Sequence, residues 1–302
     1  MAGPRIFVAT RDGLHRFDDR GTPSPVQHDG RSVLAIARRR QELWAVLDGI
    51  ELWQAVDAQT WTRVGEMPEQ RATCLVCTDD VFVGSSEARL FRLEDGGLAP
   101  VEPFDRVEGR PDWYTPWGGP PDTRSIAEWD DDLYVNVHVG GILRTSDRGA
   151  TWTPTIDIDA DVHQVTTADG LVLAACAGGL AASTDRGGTW TMRTDGLEAR
   201  YSRAVTVCGD TVLVSASNGP RGGRAAVYRA ELAGGAFERC RTGLPEWFDD
   251  NIDSHCMDAP PSGSFVAFGT SDGRAFASAD AGATWEELAG GLPPVNGVLV
   301  IP

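Results

Sequence analysis

TSDRGATWTP, Thr145–Pro154, contains an octet that recurs as STDRGGTW from Ser183 and as SADAGATW from Ser278. Across the three copies [ST]-x-D-x-G-x-T-W is invariant. A catalytic motif seldom needs three copies, whereas a turn in a repeat protein does, so the octet is read as structure before chemistry. Within it, Asp147, Asp185 and Asp280 can accept backbone N–H bonds, and the Gly two residues on tolerates positive φ. The Thr then starts a strand, and Trp152, Trp190 and Trp285 are expected to pack between neighbouring units.

The run before each octet extends the repeat. GILRTSDRGATW from Gly141, GLAASTDRGGTW from Gly179 and GRAFASADAGATW from Gly273 share a Gly, an apolar strand, the Asp turn and the Trp. Worn copies start at Gly13, Gly49, Ala88 and Gly223; there Trp61 and Phe237 keep the aromatic while the Asp turn decays. Aligning Leu14, Leu52, Leu90, Ile142, Leu180, Val227 and Ala275 gives intervals of 38, 38, 52, 38, 47 and 48 residues. That spacing suits a four-stranded propeller blade.

Each unit also carries two strands upstream of its Gly. The second strand occurs seven times (IFVAT, LWAVLD, VFVGSS, LYVNVHV, LVLAACA, TVLVSAS and FVAFGTS) and the first only six. GVLVIP, Gly297–Pro302, is the missing first strand. The expectation is one all-β domain over residues 1–302. It would be a seven-bladed propeller of four-stranded antiparallel blades, closed by the C-terminal strand pairing with Ile6–Ala9.

These octets resemble the Asp-box, or BNR repeat, of sialidases, sortilin-type receptors and photosystem assembly propellers. The resemblance covers the chain as a repeat and is specific at the three intact boxes. It implies a β-propeller with the boxes on the rim, away from the functional mouth. It does not imply sialidase activity: sialidases have six blades, an arginine triad and a Tyr–Glu nucleophile pair, and no Tyr here has an obvious Glu partner. The likeness is closer to bacterial BNR-like repeat proteins often labelled glycosyl hydrolases. Fold alone does not give function.

Composition narrows the classes. Hydrophobic residues make up 41% and charged residues 24%, as in a globular protein, and the 35 Gly and 18 Pro call for many turns. A formal net charge of −17 argues against nucleic acid and anionic membrane partners, which want a basic patch. No apolar run is long enough for a membrane helix. MAGPRIFVATRDG lacks the order of a signal peptide, so a cytoplasmic protein is expected; a monomer is expected as well. Cys74 and Cys77 form a CxxC inside the strand-like ATCLVC, where i and i+3 point to opposite faces. That placement favours buried free thiols over a metal or redox pair.

In a propeller the inner strands start, and the second strands end, at one mouth of the central channel. Inner-strand starts carry Arg31, Arg71, Arg124, His163, Arg203, His255 and Asn296; second-strand ends carry Asn136, His138, Asn218 and Asp272. Clustered arginines suit a carboxylate, sulfate or phosphate, although each can equally pair with an acid at a blade junction. Two insertions, VEGRPDWYTPWGGPPDTRS and LPEWFDDNIDSH, would frame this mouth, their Trp113, Tyr114, Trp117, Trp247 and Phe248 walling a pocket or covering blade faces. Three of the five histidines map to the same level. His163 and His255 each follow an Asp by two residues (Asp161, Asp253), a spacing that puts both side chains on one side of a strand. Each pair can therefore be metal ligands or an acid-oriented general base, with His138 joining.

The functional expectation is a small anionic, partly apolar molecule bound by Arg124 and Arg203. His138, His163 and His255 would be its acid–base groups or the ligands of a divalent metal, and the reaction would be hydrolysis or elimination. The alternative is a non-catalytic protein-binding scaffold or assembly factor.

Overall fold

The computed structural model describes residues 3–260 and 262–302. The chain opens with β1 (Arg5–Thr10) and β2 (Gly13–Phe17). One sheet then holds β3 (Val33–Arg39), β4 (Glu42–Leu47), β5 (Glu51–Ala55) and β6 (Trp61–Glu66). The next holds β7 (Ala72–Cys77), β8 (Val81–Ser85), β9 (Arg89–Glu94) and β10 (Gly97–Pro100). After the short helix α1 (Glu102–Asp105) come β11 (Thr123–Trp129), β12 (Asp132–Val137), β13 (Gly141–Thr145) and β14 (Thr153–Pro154). A fourth sheet is β15 (Val162–Ala168), β16 (Leu171–Cys176), β17 (Gly179–Ser183) and β18 (Thr191–Arg193). A fifth is β19 (Tyr201–Cys208), β20 (Thr211–Ser217), β21 (Ala226–Glu231) and β22 (Glu238–Arg239). A sixth is β23 (Met257–Asp258), β24 (Val266–Gly269), β25 (Ala275–Ser278) and β26 (Glu286–Ala289). Last comes β27 (Val295–Ile301), which joins the sheet of β1 and β2.

This is a seven-bladed β-propeller, and the closing strand falls where the strand count put it. β27 runs antiparallel to β1, with Ile6 opposite Val300 and Val8 opposite Val298. The Asn296 amide donates to the Val33 carbonyl at 2.9 Å. In this blade the outermost position is reduced to isolated bridges, Leu14 with Gln27 and Phe17 with Pro23. Pro23 and Pro25 have no N–H to give a ladder, which is why no regular fourth strand forms there.

Second strands such as β12 are buried along their whole length, because both faces of a blade are covered. Two compact units can be distinguished: one is residues up to Val33, Ala175–Leu180 and Met192–Pro302, and the other Leu34–Ala174 with Ala181–Thr191. The first has a core built on Phe268, Phe276, Trp285, Ile6 and Val300. The second packs Phe104, Val135, Leu143 and Cys74 with Trp113 and Trp152 in one cluster, and Trp44, Val46, Leu52 and Phe91 in another.

The octets are self-contained clasps. In the first, Thr151 donates to both oxygens of Asp147, through N at 2.8 Å and Oγ1 at 2.6 Å. Thr145 Oγ1 donates to Asp147 at 2.7 Å and accepts the Gly149 N–H at 2.9 Å. Asp185 and Asp280 repeat this pattern with Thr189 and Thr284. Gly149, Gly187 and Gly282 have φ of 89°, 89° and 83°, the left-handed region that glycine occupies without strain. Hydrogen bonds from Thr151 and Thr145 hold the Asp147 carboxyl down at about 2. Trp152 meets Phe104 edge-on at 5.0 Å, and Trp285 meets Phe268 at 4.8 Å. The worn copies retain more of the clasp than their sequences suggest: Asp57 still accepts from the backbone of Gln59 and Thr60, and Asp18 from Arg20 and Thr22.

All six cysteines are free. Cys74 faces one apolar cluster and Cys77 the other, and burial pushes the Cys74 thiol up to about 12. No helix among the described residues is long and apolar enough to cross a membrane.

Candidate functional site

Within the unit containing β3–β15, the ends of β12 and β15 bring one group of side chains together. His138 follows β12 directly, and its N–H donates to the Asp122 carbonyl at 3.0 Å. The next residue, Val139, is β-branched yet has φ of 46°, a genuine backbone outlier beside the site. Asp161 ends a 3₁₀ turn over Ile158–Ala160, and its left-handed conformation (φ 47°, ψ 68°) turns the chain into β15. His163 is the second residue of β15.

Polar staples fix these strands to one another. Buried Asn136 donates to the Val162 carbonyl at 3.1 Å and to Ser125 Oγ at 3.3 Å. Ser125 Oγ in turn accepts the Val165 N–H at 2.9 Å. The β11–β12 register shifts between Thr123 and Ser125, leaving Arg124 at the irregularity. Such bulges re-aim a side chain out of the normal pleat alternation.

The result is a convergence. Asp161 Oδ1 stands 3.2 Å from His138 Nε2 and 3.6 Å from His163 Nε2. One ligand atom from each of the three residues lies within 4.8 Å of the other two. His138 is 3% exposed and His163 fully buried, while the Asp161 side chain keeps 24%. Asp161 Oδ1 is sealed from solvent and faces His138 Nε2. Burial pushes the Asp161 carboxyl up, but His138, His163 and Arg124 outweigh it and hold the group below the usual carboxylate range. Asp122, close to Arg124 and His138, moves the other way because burial dominates. Trp117 stacks on His138, ring centroids 5.0 Å apart, and is itself 68% exposed.

The other candidates are placed differently. Trp113 packs against Phe104 at 6.2 Å, with Arg110 over its ring at 5.0 Å. Tyr114 is 46% exposed. Arg71 donates to the Asp48 carbonyl at 2.5 Å. In the other unit Arg203 pairs with Asp253 at 2.6 Å. The His255 carbonyl accepts the Val298 N–H at 2.8 Å, and the Arg31 carbonyl accepts that of Gly13 at 2.7 Å. Trp247 is flanked by Arg224 at 4.4 Å and Arg239 at 3.8 Å, while Phe248 is buried in the apolar core. Sequence reasoning joined His138 to the Asp161–His163 pair but did not single out Ser125, whose role depends on the register between strands of different blades.

Fold and site together define a β-propeller with a polar cluster at the strand ends. No protein-family model and no curated protein matches the chain. Solved structures do match. A GH74 xyloglucanase from Xanthomonas campestris is similar over 96% of this chain, with a TM-score of 0.71 and 15% identity. The chain spans about half of that protein, 53% of its length. YCF48 from Cyanidioschyzon merolae is 14% identical with a TM-score of 0.60, over 89% of this chain and 94% of its own. A YCF48 bound to D1 peptide is 13% identical with a TM-score of 0.59, over 98% and 95%. At such identities the likeness shows the fold alone.

Proposed function

We propose that the protein is a ligand-binding propeller working through His138, Asp161, His163 and Arg124 under the cover of Trp117, and that its ligand is a small anionic, partly apolar molecule. The supporting observation is the gathering of two buried imidazoles and a carboxylate, with Arg124 close enough to act on that carboxylate and the exposed Trp117 stacked on His138. Arg124 supplies the charge and fork geometry for a carboxylate or phosphate. Trp117 supplies flat apolar surface, and an imidazole is the proton carrier suited to hydrolysis or elimination near neutral pH. In a propeller this end of the inner strands is the channel mouth. His255, Arg31 and Arg203 belong to the other compact unit and do not enter this reading. The octets are read as Asp-boxes with a structural role. Six free cysteines support a reducing, cytoplasmic setting, and the paired closing edge supports a monomer.

A scaffold reading, in which the same mouth binds a peptide, is favoured by the near-complete mutual coverage with the peptide-bound YCF48 and by exposed Tyr114 and Trp117. Thermal-shift titrations with acetate, benzoate and inorganic phosphate, in chelator, separate the two. Stabilisation by benzoate that is lost in Arg124→Gln and Trp117→Ala supports the small-ligand reading. No response of the wild type to any of the three favours the scaffold.

A further inference from the structure

We propose that His138 Nε2, Asp161 Oδ1 and His163 Nε2 are the three protein ligands of a divalent first-row transition ion. The inference deepens the reading above, since it concerns the same side chains.

Three nitrogen and oxygen atoms are aimed at one small volume. Bonds of about 2.0–2.1 Å to a tetrahedral ion would place neighbouring donors about 3.3 Å apart. Two edges of the triangle, at 3.2 and 3.6 Å, already have that length. A hydrogen-bonded structural node would instead give the carboxylate at least one straight, short bond. Here the sealed Oδ1 faces two ring nitrogens at 3.2 and 3.6 Å, both longer than a short charge-assisted bond. A buried carboxylate oxygen left in that state is costly, and a cation at the shared focus would satisfy it.

The scaffold favours the same conclusion. Asn136 and Ser125 fix the β15 start against β11 and β12, so the donors are held in place before any ion arrives. Two imidazoles and one carboxylate suit Zn, Fe, Co or Mn rather than the all-oxygen preference of Ca or Mg. Three protein ligands leave at least one position open, as in catalytic rather than structural sites. Of the two sets the sequence offered, this is the Asp161–His163 pair joined by His138 rather than the three histidines His138, His163 and His255.

The test uses the metal-stripped, full-length chain, titrated with Zn(II) by calorimetry and with Co(II) by visible absorption, with no other ligand present. One ion per chain is expected, with a Kd in the micromolar range or tighter and a cobalt spectrum of low coordination number. Asp161→Asn, which keeps shape and removes charge, and His138→Gln should each weaken binding by about 100-fold or more. His15→Gln, a histidine on β2, should leave it unchanged. Absence of stoichiometric binding by the wild type overturns the proposal, as does binding that survives both ligand substitutions. Neither outcome touches the anion titrations, which are run in chelator, so the two readings fail separately.

Discussion

The side-chain amide of Asn136, on β12, donates to the backbone carbonyl of Val162 at the first position of β15, 3.1 Å away. This bond joins the strand that ends just before His138 to the strand that starts beside His163. Both ends of it are buried, so the carbonyl has no water to fall back on.

Asn136→Ala is therefore expected to destabilise the protein by about 1–3 kcal/mol, the usual effect of leaving a buried polar group unsatisfied. It should also weaken Zn(II) binding by about 10-fold or more, as loss of a positioning partner does at metal sites. Urea unfolding gives the first number and calorimetry the second. A purely structural Asn136 would lower stability and leave the cobalt spectrum of the folded variant unchanged.

Asp280 tests the reading of the octets. Its carboxylate accepts from Thr284 N at 2.8 Å, Thr284 Oγ1 at 2.7 Å and Ser278 Oγ at 2.8 Å. Asp280→Ala should cost about 1 kcal/mol, the typical loss for a capping acceptor. Metal and anion binding should be unaffected. Loss of binding at unchanged stability would make the octet a functional motif and reverse the assignment.

Asp258 sets a pH dependence of stability. Its Oδ2 accepts the Val300 N–H at 2.7 Å, holding the closing strand, and burial raises the carboxyl to about 7 against that bond. In the unfolded chain an aspartate titrates near 3.9, so between about pH 4 and 7 the folded state carries a proton that the unfolded state lacks. Stability from this group is thus present below about pH 4 and lost as pH rises through 7. Melting curves of the wild type and Asp258→Asn should show the difference moving in favour of the variant over that window. A pH-independent difference would mean the carboxyl is ionised throughout.

How far the sequence speaks depends on the range of the interaction. Asp147 and Gly149 were legible because a clasp closes within eight residues and its chemistry is local. The partnership of β27 with β1 was legible by counting, since one inner strand was missing and one tail was spare. His138 and His163 could be placed at one level because strand ends are marked by the repeat. Asp161 was visible as the companion of His163, but its approach to His138 depends on how β12 and β15 align, which no local pattern records. Trp247 shows the same limit: the sequence leaves it between a pocket wall and a cover for a blade face, and the Arg239 that meets its ring comes from the outer strand. Arg203 was open between an anion and an acid, and its pairing with Asp253, fifty positions on in sequence, is not written in any local pattern.

The most direct measurement is a crystal structure of the protein grown with Co(II), with diffraction recorded at the cobalt absorption edge. The account predicts one strong anomalous peak about 2.0–2.2 Å from His138 Nε2, Asp161 Oδ1 and His163 Nε2. It also predicts room for a further ligand beside that peak, under Trp117. A map with no peak among these three residues, in crystals where cobalt is bound elsewhere on the chain, would contradict it.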